Sequence, residues 1–242
     1  MTNKDAKFIK SLQLKKYRNR EKAFVIEGEK NIKELLKSHL QVLKLYLTEQ
    51  FIEASESEIK LPYELVAQKE LEKVGSFQSN AFGLAVAAIP EWPKLNLNSG
   101  HYLAFENIQD PGNLGTIIRI ADWYGFSEII CSSDSVDTYN PKVISATMGS
   151  FARVRVYYEN LNEMLNDTEL PVYGAVLDGN SIHETSFSAN GIFLFGNESQ
   201  GISSELQSLI SNKIKIPGYG QAESLNVAIA TAVVCDNFRR SV

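Results

Sequence analysis

From residue 101 onward, short apolar runs alternate with longer segments of helical periodicity. Six runs are strand-like: HYLAFEN, EIICSS, VRVYY, VYGAVLD, IFLFG and KIKIP. Helical patterns separate several of them, in GTIIRIADWYG, KVISATMGSF and SELQSLI. Such alternation predicts an α/β fold whose parallel sheet is covered on both faces. Ligands of such sheets bind at the carboxyl ends of the strands.

A smaller α/β pattern occupies the first part of the chain. FIKSLQLKKY, EKNIKELLKS and a short stretch around Lys69–Val74 are helical, whereas Phe24–Ile26, VLKLYLT, Leu65–Ala67 and GLAVAAI read as strands. The segment PEWPKLNLNSG, with two prolines and several turn residues, is typical of a linker. We therefore predict two domains, residues 1–95 and residues 96–242.

Composition narrows the class of protein without naming a function. The 242 residues have the apolar, charged and aromatic fractions of an ordinary globular protein. No apolar run has the length of a membrane span, and MTNKDAKFIK lacks the apolar core of a secretory signal, so a cytoplasmic location is the expectation. Cys131 and Cys235 are too few and too far apart for a disulfide framework or a zinc site.

Positive charge is concentrated near the N-terminus although the net charge is −5. The run from Lys4 to Lys22 contains eight basic residues and two acidic ones. Its members Lys15, Lys16, Arg18 and Arg20 are candidates for RNA phosphate contacts. A solvated helix face explains the same composition equally well.

The turn after HYLAFEN is the first of three predicted strand ends with unusual residues. It reads IQDPGNLGTIIRIADWYGF and places Asn113 and Arg119 on a Gly-rich turn and the helix that follows. The free N–H groups of that helix could bind an anion. The spacing matches neither the G-x-G-x-x-G fingerprint nor the Walker P-loop. Arg119 considered alone is also explained by a surface salt bridge.

Two further strand ends carry polar residues between glycines. After IFLFG comes GNESQGIS, where Glu198 is a first-turn acid or a functional carboxylate. After KIKIP comes GYGQAESLNVAIATAVV, where Ser224 and Asn226 precede an apolar run. Both are explained as helix caps, and we expect a helix from Ser224 to Arg240 that is apolar on every side through Val234.

These three strand ends, taken together, resemble the three motifs of the SpoU branch of the SPOUT class of RNA methyltransferases. NLGTIIR at 113–119 is similar to motif 1, FGNESQGIS at 195–203 to motif 2, and IPGYGQAESLNVAIA at 216–230 to motif 3. KKYRNREKAFVIEGEKNIKELL resembles the substrate-binding domain that precedes many SpoU domains, a ribosomal-protein-like (L30e-like) fold. That likeness favours phosphate contact for the basic cluster.

The resemblance implies a fold, a cofactor and a reaction. The C-terminal domain would form a deep trefoil knot that holds S-adenosylmethionine, and the enzyme would methylate the 2′-hydroxyl of a ribose in RNA as a homodimer, without a metal. The implied catalytic residues are Asn113, Arg119, Glu198, Ser224 and Asn226. The implied cofactor-binding residues are Leu177, Gly196, Asn197, Gly201, Ile216, Gly218 and Leu225. Glycines at these positions would let the backbone approach the cofactor closely.

Several alternatives stay open at this stage. A guanidinium is a poor base because its pKa lies above about 12, so Arg119 could instead stabilise the forming alkoxide electrostatically. Large-subunit ribosomal RNA is expected ahead of transfer RNA, but the sequence names neither the nucleotide nor a housekeeping or resistance role. An inactive RNA-binding or assembly protein of the same fold, and a dinucleotide-dependent enzyme, are the competing functions.

Overall fold

The computed structural model describes residues 1–241 and divides into two compact units. The first unit comprises residues 1–92 together with residues 137–153. The second comprises residues 93–136 and continues from residue 154 to the C-terminus. The chain therefore passes between the units three times. Within residues 1–241, no helix combines the length and the apolarity that a membrane span requires.

The first unit is built on a mixed four-stranded sheet with the order β1-β4-β2-β3. Its strands are β1 (Ala23–Glu27), β2 (Val42–Leu47), β3 (Glu64–Leu65) and β4 (Gly83–Ala88). Its helices are α1 (Asn3–Ser11), α2 (Lys15–Glu21), α3 (Glu29–Leu36), α4 (Glu49–Ser55), α5 (Gln68–Val74) and α7 (Pro141–Thr147). Only β2 and β3 pair in parallel. The predicted strands are present, whereas α4 was not predicted.

The predicted helix FIKSLQLKKY is in fact two helices, α1 and α2, joined by a turn. Leu14 has an extended backbone and precedes α2. The guanidinium of Arg18 explains why the break is stable. Its Nη1 donates to the carbonyl oxygens of Leu12, at 2.8 Å, and of Gln13, at 2.9 Å, beyond the end of α1. Arg18 thus satisfies carbonyls that a continuous helix would have paired internally.

The segment 137–153 completes the core of the first unit. Ile144 and Phe151 belong to one buried apolar cluster with Phe24, Ile26 and Ile32 of the N-terminal part. The rings of Phe24 and Phe151 meet edge to face with centroids 6.1 Å apart. The sequence analysis placed this segment in the alternating pattern of the C-terminal half. Periodicity identifies a helix, but it does not indicate which of two cores the helix packs against.

Arg18 joins the inserted segment to α2 and is expected to be essential for the stability of the first unit. Its side chain is 2% exposed, and its Nε and Nη2 donate to Asp137 Oδ2 at 2.9 and 2.6 Å. Arg18→Ala would leave a largely buried carboxylate and two carbonyls unpaired, and we expect a loss of about 3–5 kcal/mol. Arg18→Lys should recover only part, because lysine lacks the planar fork.

Urea unfolding, with hydrogen exchange of the β1 amides as a local probe, measures this loss. Arg20→Ala is the matched control, since Arg20 is 66% exposed and forms its ion pair with neighbouring Glu21, at 2.7 Å. Its loss should stay below about 1 kcal/mol. Equal stability of the Arg18 and Arg20 variants would contradict a structural role for Arg18.

The second unit contains a six-stranded sheet with the order β10-β8-β9-β5-β6-β7, in which every neighbouring pair is parallel. Its strands are β5 (His101–Phe105), β6 (Glu128–Ser132), β7 (Arg155–Glu159), β8 (Val172–Ser181), β9 (Gly191–Phe195) and β10 (Asn212–Lys215). Its helices are α6 (Pro111–Trp123), α8 (Leu161–Asp167), α9 (Ser204–Gln207) and α10 (Val227–Ser241). The predicted α/β fold with a parallel sheet is confirmed. The short helix α8 was not predicted.

Candidate active site

The neighbouring strands β5 and β9 position the first two predicted strand ends side by side. Their registers run in parallel from His101 opposite Gly191 to Phe105 opposite Phe195. Both strands are fully buried at their carboxyl ends, and the turns that follow begin at the same sheet edge. Residues about 90 positions apart in sequence therefore meet. For example, the side chain of Asn197 donates to the carbonyl oxygen of Asn107 at 2.8 Å.

A continuous line of hydrogen bonds links one residue from each of the three motifs. Asn226 Nδ2 donates to Asn113 Oδ1 at 2.9 Å. Asn113 Nδ2 in turn donates to Glu198 Oε1 at 2.7 Å. We call Asn226, Asn113 and Glu198 the polar relay. It brings together three of the five predicted catalytic residues.

The direction of the polar relay is fixed by the start of helix α10. Asn226 Oδ1 accepts from the backbone N–H of Ala228 at 2.9 Å and of Ile229 at 3.4 Å, as an N-cap does. Its NH₂ group must therefore face Asn113, whose own NH₂ must then face the acceptor-only carboxylate of Glu198. Glu198 Oε2 has no partner among residues 1–241 and remains free to accept a hydrogen bond.

Helix α6 begins at a cap that sequence reasoning missed. Asp110 is its N-cap, and Asp110 Oδ1 accepts from the backbone N–H of Asn113 at 2.8 Å. The signal was present in the sequence as Asp110-Pro111, since proline favours the first helical position. This cap fixes the backbone from which Asn113 extends into the polar relay.

Arg119 lies on the exposed face of α6, outside the polar relay. No carboxylate among the described residues pairs with its guanidinium, so the structure contains no surface salt bridge of the kind that composition alone suggested. The buried face of α6 carries Leu114, Ile117, Ile118 and Ala121. Arg119 is thus held on a packed helix while its charged end stays accessible.

The start of the C-terminal helix corrects one expectation. Helix α10 begins at Val227, so Asn226 is the cap, and Ser224, which lies outside the helix, is not. Within the single chain the helix has one buried face. Val227, Thr231 and Val234 lie on its buried face, whereas Ile229 is 52% exposed. Ser224 itself is exposed and forms no hydrogen bond with another described residue.

The glycines of the loop after β9 have a structural reason that the sequence analysis did not predict. A Cβ added to Gly196 would lie 2.1 Å from the backbone carbon of Gly201, so the chain's own close approach requires glycine there. Gly201 has φ +70°. Asn197 closes this loop, because its Oδ1 accepts from the backbone N–H of Ser199 at 2.8 Å and of Gln200 at 3.2 Å. If Asn197 contributes to cofactor binding, its side chain would do so by fixing the conformation of this loop.

Other predicted cofactor residues are exposed or have open space around them. Leu177 is 70% exposed and Leu225 is 48% exposed. A Cβ on Gly218 would meet no atom within 4 Å. Ile216 is partly buried just after β10. Exposed leucines and open backbone are the kinds of group that a nucleoside needs, for apolar cover of its ring system and for partners of its polar edges.

One of the four predicted phosphate-binding residues of the first unit is buried. Arg18 is buried and its guanidinium is engaged by protein acceptors, so it is not available for a phosphate as the sequence suggested. Lys15, Lys16 and Arg20 are exposed on α2. Neither lysine forms an ion pair with a described residue.

The second unit combines a parallel α/β sheet with a polar relay at its carboxyl edge, and the first unit that precedes it carries exposed cations on α2. The family is shown by comparison with known proteins. Residues 100–236 match the SpoU rRNA methylase family, and residues 3–80 match the MRM3-like substrate-binding domain. The chain belongs to the SpoU family.

Individual relatives cover nearly the whole chain. It is 31% identical over 241 residues to the 23S rRNA (guanosine(2553)-2′-O)-methyltransferase RlmP of Bacillus subtilis, covering 98% of this chain and 96% of that protein. Among solved structures, it is similar to an RNA methyltransferase of the TrmH family from Porphyromonas gingivalis, with TM-score 0.88, 34% identity and coverage of 100% and 99%. An AdoMet-bound rRNA methyltransferase from Sinorhizobium meliloti gives TM-score 0.87 and 27% identity, with coverage of 99% and 95%.

Proposed function

We propose that this protein transfers the methyl group of S-adenosylmethionine to the 2′-hydroxyl of a ribose in large-subunit ribosomal RNA. The observation that carries the proposal is the polar relay, because it joins Asn113, Glu198 and Asn226 from the three family motifs in one hydrogen-bonded arrangement. Ribosomal RNA is favoured over transfer RNA because the Bacillus subtilis relative matches both units of the chain. The tRNA (guanosine(18)-2′-O)-methyltransferase of Thermus thermophilus matches 53% of it.

The predicted cofactor residues fit S-adenosylmethionine in their chemistry. Leu177 and Leu225 offer exposed apolar surface, and the open backbone around Gly218 offers N–H and carbonyl groups. The carboxylate of Glu198 lies at the same sheet edge and complements a cationic ligand. When bound, the cofactor supplies an electrophilic methyl group on a sulfonium.

The protein's own residues would orient the ribose and manage its proton. The free Oε2 of Glu198 can accept a hydrogen bond from the ribose hydroxyl, while Asn113 and Asn226 hold the carboxylate in place. The hydroxyl would release its proton to solvent as its oxygen takes the methyl group, and Arg119 would stabilise the forming alkoxide because its positive charge is unpaired within residues 1–241. Ser224, which is exposed in the loop that precedes α10, is proposed to contact the ribose or the cofactor.

The finer features of the resemblance are part of the same proposal. Residues 1–95 would form an L30e-like RNA-binding domain, and residues 96–242 a SPOUT domain whose C-terminal segment is threaded into a trefoil knot. The chain returns from β10, at one edge of the sheet, to Asn113, which follows β5 in the interior of the strand order, and a threaded C-terminal segment would require such a return. An experimental structure with the cofactor bound tests the knot, and a cytoplasmic location stays a prediction.

Two measurements test the proposed function. Mapping ribose methylations in total RNA from cells with and without the gene should reveal a lost site in large-subunit ribosomal RNA. S-adenosylmethionine, but not NAD, should raise the melting temperature of the purified protein, since a ligand of the native state stabilises it. Cofactor binding without any lost methylation would favour an inactive assembly protein, and stabilisation by NAD alone would overturn the proposal.

A homodimer is expected through the exposed side of helices α6 and α10. These helices pack against each other in the second unit, yet Trp123 is 84% exposed and Ile229 is 52% exposed. Exposed apolar side chains on ordered helices are typical of association surfaces. Ile229→Glu should shift the mass measured by light scattering at micromolar concentration from dimer to monomer. Leu43→Glu, at a 45% exposed leucine of the first unit, is the control; a monomeric wild-type protein would contradict the expectation.

A further inference from the structure

The exposed face of α2 presents an aromatic ring between two cations. Tyr17 is partly buried, and its ring centroid lies 4.8 Å from Lys16 Nζ and 4.8 Å from Arg20 Cζ. The Tyr17 hydroxyl forms no hydrogen bond with another group of residues 1–241, so no protein partner fixes the polar end of the ring.

The buried side of α2 is held in place by hydrogen bonds of Arg18. Arg18, the residue after Tyr17, is 2% exposed and holds Asp137 and two carbonyl oxygens with its guanidinium. A short helix of seven residues would not be rigid in isolation. With Arg18 locked, the outward side chains of α2 are held in place before any ligand arrives, which lowers the entropic cost of binding.

The chemistry of the outward face matches single-stranded RNA. Lys15 and Lys16 are exposed, unpaired cations suited to phosphates, and Arg20 is 66% exposed. Unpaired bases stack on aromatic rings and on guanidinium planes, whereas bases inside a duplex do not offer their faces. The exposed surface also continues onto Leu14, which is 55% exposed at the start of α2.

We propose that Tyr17 and Arg20 form a stacking platform for an unpaired base of the RNA substrate, with Lys15 and Lys16 contacting the adjoining phosphates. This inference rests on the proposed function and adds the form in which the RNA is recognised. The first unit would select a looped or single-stranded segment, and a duplex of the same charge would lack the base contact.

Fluorescence anisotropy of the full-length protein tests the platform with two labelled probes, a 12-nucleotide oligoadenylate and a blunt-ended RNA duplex without a loop. Tyr17→Leu should raise the Kd for oligoadenylate at least about fivefold, since stacking of one base contributes about 1 kcal/mol or more. Its salt dependence and its Kd for the duplex should stay unchanged, because no phosphate contact is lost. Tyr17→Trp should bind oligoadenylate as tightly as the wild type.

Replacement of Lys15 and Lys16 should change the salt dependence of RNA binding, which replacement of Tyr17 should leave unchanged. Changing Lys15 and Lys16 to alanine should lower the slope of log K against log salt by roughly 1.4, at about 0.7 for each phosphate contact with a single strand. Tyr63→Leu is the matched control, since Tyr63 is a 45% exposed tyrosine elsewhere in the first unit. It should leave both Kd values unchanged.

Two results would overturn the platform: an unchanged Kd for oligoadenylate in Tyr17→Leu, or an equal loss on both probes. If Tyr17→Leu melts below the wild type, Tyr17→Gln replaces it and is judged by the same criteria. Methyl transfer from labelled S-adenosylmethionine to total RNA by the wild type is measured alongside. Absence of methyl transfer would count against the proposed function. An active enzyme whose Kd for oligoadenylate does not change in Tyr17→Leu would overturn only the stacking platform.

Discussion

Arg119→Ala should abolish methyl transfer, with a fall in single-turnover rate of at least about 10²-fold, while the protein still folds and binds S-adenosylmethionine. The structure separates these effects. Arg119 is exposed and pairs with no carboxylate among residues 1–241, so its loss should cost less than about 1 kcal/mol of stability. The predicted cofactor residues lie on other elements, at Leu177 of β8, around Gly196, and between Ile216 and Leu225.

Lysine at this position distinguishes a positioned guanidinium from a simple charge. Arg119→Lys keeps the positive charge but loses the planar fork that could engage a phosphate and a hydroxyl together, so it should also be severely impaired. Single-turnover methylation of the mapped RNA, with cofactor affinity from calorimetry as the control, gives the answer. Near-normal rates in the alanine variant would remove Arg119 from the mechanism, and full rescue by lysine would favour a plain electrostatic effect.

Asn226 allows the catalytic and structural roles of one residue to be separated. Asn226→Asp keeps the oxygen that accepts from Ala228 and Ile229, so helix α10 should remain capped and the stability nearly unchanged. The same change removes the NH₂ group that donates to Asn113. Whichever way the Asn113 amide then turns, an oxygen must face the carboxylate of either residue 226 or Glu198.

We therefore expect Asn226→Asp to lose activity by roughly 10- to 150-fold, the factor for about 1.5–3 kcal/mol of a hydrogen bond to a charged group. Asn226→Ala should lose activity and also about 1 kcal/mol of stability, because the cap disappears. Thermal unfolding and single-turnover rates of the two variants make the comparison. An aspartate variant as active as the wild type would show that the direction of the polar relay does not matter for the reaction.

The sequence predicted the strands of the second unit and supplied the candidate site residues. The central strands β5, β6 and β9 follow from short apolar runs, because a strand buried on both faces needs apolar residues throughout. The edge strand β10 carries two lysines and is mostly exposed. The family resemblance selected Asn113, Glu198 and Asn226, which the structure brings into contact. These are properties of local pattern and residue type, which a linear sequence records directly.

Only the tertiary structure decided which of those residues meet and which are covered. Asn113 reaches Glu198 because β5 and β9 are neighbours in the sheet, although β6, β7 and β8 lie between them in the chain. Asn226 rather than Ser224 caps α10, because the choice depends on where the chain enters the helix.

Arg18 gives the clearest example of this difference. In the sequence Arg18 is one of several cations in a basic run, and the composition of that run fits a solvated helix face and an RNA-binding surface equally well. In the structure it is buried, because the segment 137–153 returns to the first unit and places Asp137 against it. Charge and periodicity are local quantities, whereas burial depends on which distant segment supplies the cover, and that is settled only when the whole chain packs.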